Sequence, residues 1–222
     1  MARIARIEEP FYPYHVIQRG NRNQNVFLRP TDKGMYLRIL KIQADFFDVE
    51  VWAYCLMDNH VHLIMYPKVK NGLTACMSQT HQQYTRMINF REDWRGHLWQ
   101  GRFKSFPLDA AYLFTAVRYV EVNPVRAKMV KSADNYPYSS ARARINKTKD
   151  ALLSDFYLLK EIKDWRSYLT LTDDKTEEEM RKHQRTGRPL GDKDFIAELE
   201  SKSGQDLTFK KSGPKSKKAQ MA

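Results

Sequence analysis

Two histidines separated by one residue, His60 and His62, are the side chains in this sequence best suited to bind a metal ion. They lie in an apolar run that predicts a β-strand, and residues two apart on a strand point to the same face. Two imidazoles on one face of a stiff element make good metal ligands. The alternative is a pair of surface or hydrogen-bonded histidines in a sheet, so the metal-site interpretation needs a third ligand nearby.

An asparagine could supply the third metal ligand, and a tyrosine near it could supply a reacting group. Tyr119 and Asn123 lie four apart in a run that predicts a helix, which places them within about 40° of one helical face. The Asn123 amide oxygen is a hard ligand suited to Mg²⁺ or Mn²⁺, and Tyr119 could reach the same site. Equally, Tyr119 could pack in the core and the Asn123–Pro124 pair could simply end the helix.

The elements that must position these residues alternate between strand and helix patterns. Strands are predicted over residues 14–19, 49–57 and 60–66, with a short extended stretch over 98–106. Helices are predicted over residues 32–47, 73–90 and 109–122. Strand, helix, strand, strand, helix, strand is the ferredoxin-like order. We therefore expect an α+β fold with an antiparallel sheet and helices on one face, to which the third helix is an addition.

Local patterns also predict how two of these helices begin and pack. Thr31 or Asp32 is the expected N-cap of the first helix, and Asp109 that of the third. In the first helix, apolar residues recur at three- and four-residue steps and predict its buried face: Met35, Ile39, Ile42 and Phe46.

The chain changes character after about residue 145. We expect one domain over residues 1–145 and a partly helical C-terminal extension over 146–222, which is richer in Lys, Glu and Asp. The segment 186–191 contains two glycines and a proline and predicts a break before a helical segment over 194–199. From about residue 203 the chain is basic and poor in apolar residues, which predicts a disordered tail.

Composition limits the class of protein. The 222 residues include 38 Lys and Arg against 26 Asp and Glu, a net charge of +12 that favours a polyanionic partner, most simply nucleic acid. A hydrophobic fraction of 42% with 12% aromatic residues excludes a wholly disordered chain. No apolar run approaches the roughly 20 residues of a membrane span. Only two cysteines and no visible secretory signal lead us to expect a cytoplasmic protein with no membrane partner.

Four motifs within roughly the first 140 residues occur in an order typical of one family. They are YHVIQRGNR from residue 14, MDNHVH from residue 57, LWQGRFKS from residue 98 and RYVEVNPVRA from residue 118. Together they resemble the single-tyrosine HUH transposases, and most closely the transposases associated with repetitive extragenic palindromic (REP) DNA. The resemblance implies the HUH nuclease fold with an added catalytic helix, in a bacterial-type protein associated with the nucleoid.

The same resemblance implies roles for the four residues introduced above. His60 and His62 correspond to the HUH pair, Asn123 to the helix-borne third metal ligand, and Tyr119 to the nucleophile. The implied activity is cleavage and rejoining of single-stranded hairpin DNA through a covalent 5′-phosphotyrosine, with Mg²⁺ or Mn²⁺ as cofactor.

Two other tyrosines are rival nucleophiles. Tyr112 would lie on nearly the same helical face as Tyr119 but about two turns away, on the order of 10 Å. Tyr84 belongs to the second predicted helix and has no ligand-type residue four positions later. Tyr119 is therefore the preferred candidate.

Substrate binding is expected to use positive and polar side chains next to aromatic ones. The candidate DNA-binding residues are Arg19, Arg22, Gln100, Arg102 and Lys104. The neighbouring Trp99 and Phe103 could stack on bases, or could equally belong to the core.

The sequence leaves two questions open, the exact function and the oligomeric state. The chain could act on REP hairpins, could be the transposase of an insertion sequence that acts on its own hairpin ends, or could be a nucleic-acid-binding module that has lost catalysis. It could be a monomer or a homodimer, because relatives either complete the site within one chain or exchange the tyrosine helix between subunits. The long C-terminal part favours the monomer.

Overall fold

The computed structural model describes residues 4–171 and 174–208, apart from the side chain of Asp174. Its strands are β1 (Tyr14–Arg19), β2 (Val49–Leu56), β3 (His60–Pro67) and β4 (Lys104–Pro107). Its helices are α1 (Asp32–Phe46), α2 (Gly72–Glu92), α3 (Ala110–Arg126), α4 (Ser140–Ile145), α5 (Leu158–Glu161), α6 (Trp165–Thr170), α7 (Asp174–Thr186) and α8 (Lys193–Ser203). None of the described helices is long and apolar enough to cross a membrane.

The four strands form one sheet in the order β2-β3-β1-β4, and every neighbouring pair is antiparallel. With α1 between β1 and β2 and α2 between β3 and β4, this is the predicted ferredoxin-like arrangement, and the predicted fold class is confirmed. The predicted extended stretch over 98–106 forms a regular strand only from Lys104 onward.

One face of the sheet packs against α1 and α2. Tyr14, Val16 and Leu63 from the strands are fully buried there against Tyr36 of α1 and Tyr84 of α2. The same cluster includes two aromatic residues considered for base stacking, Trp99 and Phe103, which are only 6% and 3% exposed. Both therefore belong to the core.

The predicted buried face of α1 is wrong at Met35, Ile42 and Phe46, while Ile39 is partly buried against the core. Ile42 and Phe46 are 63% and 78% exposed, whereas Tyr36, Leu40 and Ala44 are buried. Two stripes with three- and four-residue spacing run along this helix, and spacing by itself cannot say which one meets the sheet. The buried stripe is the one whose Tyr36 ring packs edge-on against the Tyr84 ring of α2, with 5.3 Å between centroids.

The opposite face of the sheet packs against α3 and the C-terminal part of the chain. Ile64 and Phe106 from the strands join Val117 of α3 in a second buried cluster. Trp165 of α6 and Met180 of α7 belong to the same cluster. Helices α6 and α7 thus share a core with the sheet, whereas Leu199 of α8 lies in a separate small cluster with Ile7 and Leu207. Residues 209–222 of the predicted basic tail lie outside the described residues.

Helix α3 begins as predicted but ends later than predicted. The Asp109 side chain accepts a hydrogen bond from the Tyr112 backbone N–H at 2.8 Å, which is N-cap geometry. The helix passes through Pro124 and ends at Arg126, so the expectation that Pro124 ends it is wrong. Proline removes one backbone donor, but the Ala127 N–H still donates to the Asn123 carbonyl at 2.9 Å and extends the last turn.

A buried carboxylate attaches α3 to the helices that follow it. Glu121 is 0% exposed and accepts hydrogen bonds from Ser140 Oγ at 2.5 Å, Arg144 Nη1 at 2.7 Å and Trp165 Nε1 at 2.6 Å. Arg144 also donates to the Trp52 carbonyl of β2. This network joins α3 to α4, α6 and the sheet, and it satisfies the charge of both buried partners.

Replacing Glu121 with alanine leaves Arg144 buried without its partner, which typically costs about 3–5 kcal/mol. We expect Glu121→Ala to lower the free energy of unfolding by that amount in urea denaturation. Glu161→Ala, which removes an exposed carboxylate from α5, is the matched control and should change it by less than about 0.5 kcal/mol. Equal effects of the two substitutions would contradict an anchoring role for Glu121.

Candidate active site

The two histidines open strand β3 and lie on the sheet face that packs against α3. In the antiparallel register His60 is opposite Arg19 and His62 opposite Ile17, both on β1. The two imidazole ring centroids are 5.0 Å apart. Strand alternation therefore brings both rings to one place, with Val61 buried in the cluster on the opposite face.

Each histidine has a partner on its Nδ1 atom. His60 Nδ1 lies 2.6 Å from the Asn59 side-chain oxygen, and His62 Nδ1 lies 3.0 Å from Nε2 of the buried His15. Because an amide oxygen only accepts, Nδ1 of His60 carries the hydrogen and Nε2 keeps its lone pair. When His62 donates to His15 in the same way, its Nε2 is also available. Histidines that bind metals usually have such a partner on the other ring nitrogen.

Burial keeps these imidazoles uncharged. Loss of hydration lowers the pKa of His15 to about 3 and, together with the nearby Arg19 charge, lowers the pKa of His60 to about 4. The pKa of His62 falls well below its usual value, mainly through burial. At neutral pH all three rings are therefore in the form that can donate a lone pair to a cation.

Tyr119 on α3 lies directly against the histidines. Its ring centroid is 5.8 Å from that of His62 and 5.8 Å from that of His15. The Arg126 guanidinium lies over the same ring, 4.8 Å from its centroid, and is itself held by Glu177 of α7 at 2.6 Å. Residues from two strands and a helix of the same chain thus meet at the tyrosine.

Asn123 lies one turn beyond Tyr119 and is partly buried. Its Nδ2 donates to the Tyr119 backbone carbonyl at 2.8 Å, which leaves its side-chain oxygen as the available ligand atom. Within the described chain no hydrogen bond joins Asn123 to either histidine. The same residues contain no group of three or more His, Cys, Asp or Glu side chains suited to a metal. A metal centre at this place would therefore need an amide oxygen beside the two imidazoles.

The rival tyrosines are engaged elsewhere. Tyr84 is fully buried on the other face of the sheet and donates to the Val26 carbonyl at 2.8 Å. Tyr112 donates to a carboxylate oxygen of Glu179 on α7 at 3.1 Å. Neither hydroxyl lies in the cleft that Tyr119 lines.

A cleft of about 410 Å³ opens at Tyr119, and it contains most of the predicted DNA-binding residues. Four of the five line it: Arg19, Gln100, Arg102 and Lys104. Arg22 does not; it is exposed in the turn that follows β1. These residues come from the end of β1 and from the segment that leads into β4, which neighbour each other in the sheet.

Sequence reasoning missed several residues of this region. His15 lies in the motif that begins at residue 14, but no neighbouring residue in the sequence indicates its contact with His62. Three side chains from α7 also line the cleft: Arg181, Gln184 and Arg185. Their spacing of three and four residues places them on one helical face, and this was a detectable pattern in the sequence.

The model of the family described as IS200-like transposases matches residues 11–123, which is more than half of the chain. The chain belongs to the IS200-like transposase family. The matched region includes His60, His62, Tyr119 and Asn123, and membership identifies the protein as a transposase of the DNA-processing class.

Solved structures place this transposase in the same fold group. A REP-associated tyrosine transposase bound to a REP hairpin is similar over 70% of this chain and 93% of that chain, with a TM-score of 0.56 and 19% identity. A candidate transposase from Deinococcus radiodurans covers 54% of this chain and 95% of its own, with 18% identity and a TM-score of 0.38, too low to support an argument. No curated protein matches the sequence significantly.

The cleft of this transposase depends on a close backbone approach at Gly20. A Cβ atom there would lie 2.2 Å from the Gln24 carbonyl oxygen and 2.7 Å from a Val26 methyl carbon, so Gly20→Ala must distort the turn beside Arg19. We expect a loss of about 1–3 kcal/mol of stability. Gly34→Ala in α1, where a Cβ meets nothing within 4 Å, should instead add about 0.5–1 kcal/mol. Thermal unfolding measures both, and a stabilised Gly20→Ala variant would contradict the packing described.

Proposed function

We propose that this transposase is a divalent-metal-dependent endonuclease and strand transferase for single-stranded DNA, and that it acts on REP-type hairpins. The observation that carries the proposal is the Tyr119 ring lying 5.8 Å from the His62 ring inside the region matched by the family model. The REP hairpin bound by the structurally similar transposase supports the choice of substrate.

The donor atoms fit a small divalent cation such as Mg²⁺ or Mn²⁺. His60 and His62 are uncharged and have available Nε2 atoms, and Asn123 has an available amide oxygen. We assign these three residues as the ligands. When bound, the ion supplies positive charge that neutralises the scissile phosphate and orients it.

Tyr119 is the proposed nucleophile. Its phenolic oxygen attacks the phosphorus, a tyrosine–phosphate bond forms, and the bond between phosphorus and the 3′ oxygen breaks. The phenolic proton leaves to solvent, the departing 3′ oxygen gains a proton and becomes a free hydroxyl, and the 5′ phosphate stays on Tyr119. Because the phosphodiester energy is retained, attack by a 3′ hydroxyl reverses the step and rejoins strands without ATP.

The positive side chains of the cleft hold the strand for this step. Arg19, Arg102 and Lys104 are suited to backbone phosphates, and the Gln100 amide to a base edge or a phosphate. Arg22, outside the cleft, is suited only to a more distant phosphate. Holding the phosphodiester in line with the Tyr119 oxygen converts cleavage into an intramolecular reaction.

We further propose that one chain completes the site, because the histidines and Tyr119 that meet here belong to the same chain. This supports a monomer as the active unit. A second substrate remains a candidate: the IS200-like family model favours the hairpin ends of an insertion sequence. Binding measured in parallel to a REP hairpin and to hairpins that flank the gene distinguishes the two.

Replacing Tyr119 with phenylalanine should reduce covalent adduct formation with a hairpin oligonucleotide by at least about a thousandfold, because the nucleophilic oxygen is removed. Hairpin binding should change less than about twofold, since phenylalanine keeps the ring and the cationic side chains that line the cleft are unchanged. Denaturing gels measure the adduct and gel shifts measure binding. Tyr112→Phe, on the same helix, is the control and should retain cleavage.

Cleavage that survives in Tyr119→Phe and disappears in Tyr112→Phe would assign the nucleophile to Tyr112. A wild-type protein that binds the hairpin and forms no adduct would instead support the inactive binding module.

His15 is expected to position His62 for the metal. His15→Phe removes the hydrogen-bond partner of His62 Nδ1, and loss of such a partner typically weakens metal binding about 10–100-fold. His81→Phe is the matched control, because it removes an equally buried histidine that is bonded to Tyr36 on the other face of the sheet. Calorimetry with Mn²⁺ should show weaker binding for His15→Phe alone. Equal Mn²⁺ affinities of the two variants would contradict this role.

A further inference from the structure

Helix α7 forms one wall of the Tyr119 cleft, which is also lined by residues of β1 and β4. It lies in the part of the chain after residue 145, outside the region that the family model matches. Three of its side chains, at positions i, i+3 and i+4, line the cleft: Arg181, Gln184 and Arg185. Arg19 and Lys104 of the sheet line the same cavity.

The helix is held firmly in this place. Met180 is fully buried in the cluster behind α3, and the His183 ring lies 6.2 Å from that of Phe106 on β4. Glu177 pairs with Arg126 at 2.6 Å, and Glu179 accepts from Tyr112 at 3.1 Å. Four contacts along about two turns therefore join α7 to α3 and to the sheet.

The cleft is strongly positive. Its described lining residues include five cationic side chains and no carboxylate: Arg19, Arg102, Lys104, Arg181 and Arg185. Among the described residues, the one ion pair of the α7 arginines that line the cleft joins the half-exposed Arg181 to Glu177 at 4.0 Å. Convergent charges of one sign in a concave site favour a polyanion. A volume of about 410 Å³ lies within the range of small-ligand sites.

Gln184 supplies an independent observation. Its Nε2 is buried and has no hydrogen-bond partner among the described residues, although the side chain lines the cleft. A buried amide donor without a partner is costly, and a bound oxygen atom would relieve that cost. Phosphate oxygens and base carbonyls are the acceptors that a DNA strand would bring.

We propose that α7 is the second wall of the strand-binding cleft: Arg181 and Arg185 bind backbone phosphates of the single strand next to the cleaved bond, and Gln184 donates to an oxygen of the same strand. This inference rests on the proposed function. It gives the C-terminal extension a direct part in substrate binding, since side chains of the sheet and of α7 would both contact the single-stranded DNA.

The test is the salt dependence of DNA binding by Arg181→Gln/Arg185→Gln, measured with a hairpin that carries a single-stranded 5′ extension. Each phosphate contact to a single strand contributes about 0.7 to the slope of log affinity against log salt. Loss of two contacts should reduce the slope by about 1.4 and weaken binding about 10–100-fold at low salt. Binding of the same hairpin without its extension should change less than about threefold.

Lys175→Gln/Lys182→Gln is the matched control, because it removes two charges from the same helix at exposed positions that do not line the cleft. It should leave the salt slope unchanged and the affinity within about threefold of that of the wild type. Gln184→Glu places a negative charge in the cleft without a change of size and should weaken binding of the extended hairpin only. Circular dichroism melting verifies that each variant is folded.

Equal losses for the two double variants, or equal losses for the two DNAs, would overturn the inference, because α7 would then contribute only general charge. Tighter binding by Arg181→Gln/Arg185→Gln would also overturn it, since α7 would then obstruct the cleft. Adduct formation by the wild type separates these outcomes from failure of the proposed function. If the wild type forms the adduct and the double variant binds DNA as well as the wild type, only the role of α7 is refuted. A wild type that binds no extended hairpin refutes both.

Discussion

The buried ion pair between Glu121 and Arg144 fixes the rotation of α3 about its own axis, and the candidate active site depends on that rotation. Glu121 lies two residues after Tyr119, about 200° around the helix, so the anchored carboxylate and the tyrosine ring point in nearly opposite directions. A rotation by one residue, about 100°, would take Tyr119 away from His62. Apolar packing alone is too weakly directional to prevent this rotation. Three hydrogen bonds to the buried Glu121 carboxylate are directional and oppose it.

The site combines uncharged donor groups with positive surroundings. Burial suppresses the charge of His15, His60 and His62, and the cations lie farther out along the cleft and over the Tyr119 ring. A protonated imidazole would repel a metal ion, so the low pKa values suit the ligand role proposed for His60 and His62. The guanidinium and ammonium groups stay charged at any physiological pH and suit a phosphate backbone. Two kinds of basic group thus meet at Tyr119, uncharged imidazoles and permanently charged guanidinium groups.

The net charge of +12 gains meaning only through its distribution. An even distribution of this charge would favour weak attraction to any polyanion. Cationic side chains that line a concave cleft instead concentrate the positive electrostatic potential beside Tyr119. These side chains come from three separate parts of the chain, namely the end of β1, residues 100–104 and α7. Helices α6 and α7 are packed elements of the core behind the sheet, and α7 lines the cleft directly.

The sequence alone determines the order of the four strands and the first three helices, the N-cap at Asp109 and the common face of His60 and His62. Each of these depends on periodicity or on neighbours a few residues away, and short stretches of chain carry that information. Only the tertiary structure decides which stripe of α1 is buried, that His15 meets His62, and that α7 closes the cleft over Tyr119. In each case the local pattern permits alternatives of similar energy, and the choice depends on surfaces supplied by distant segments of the chain.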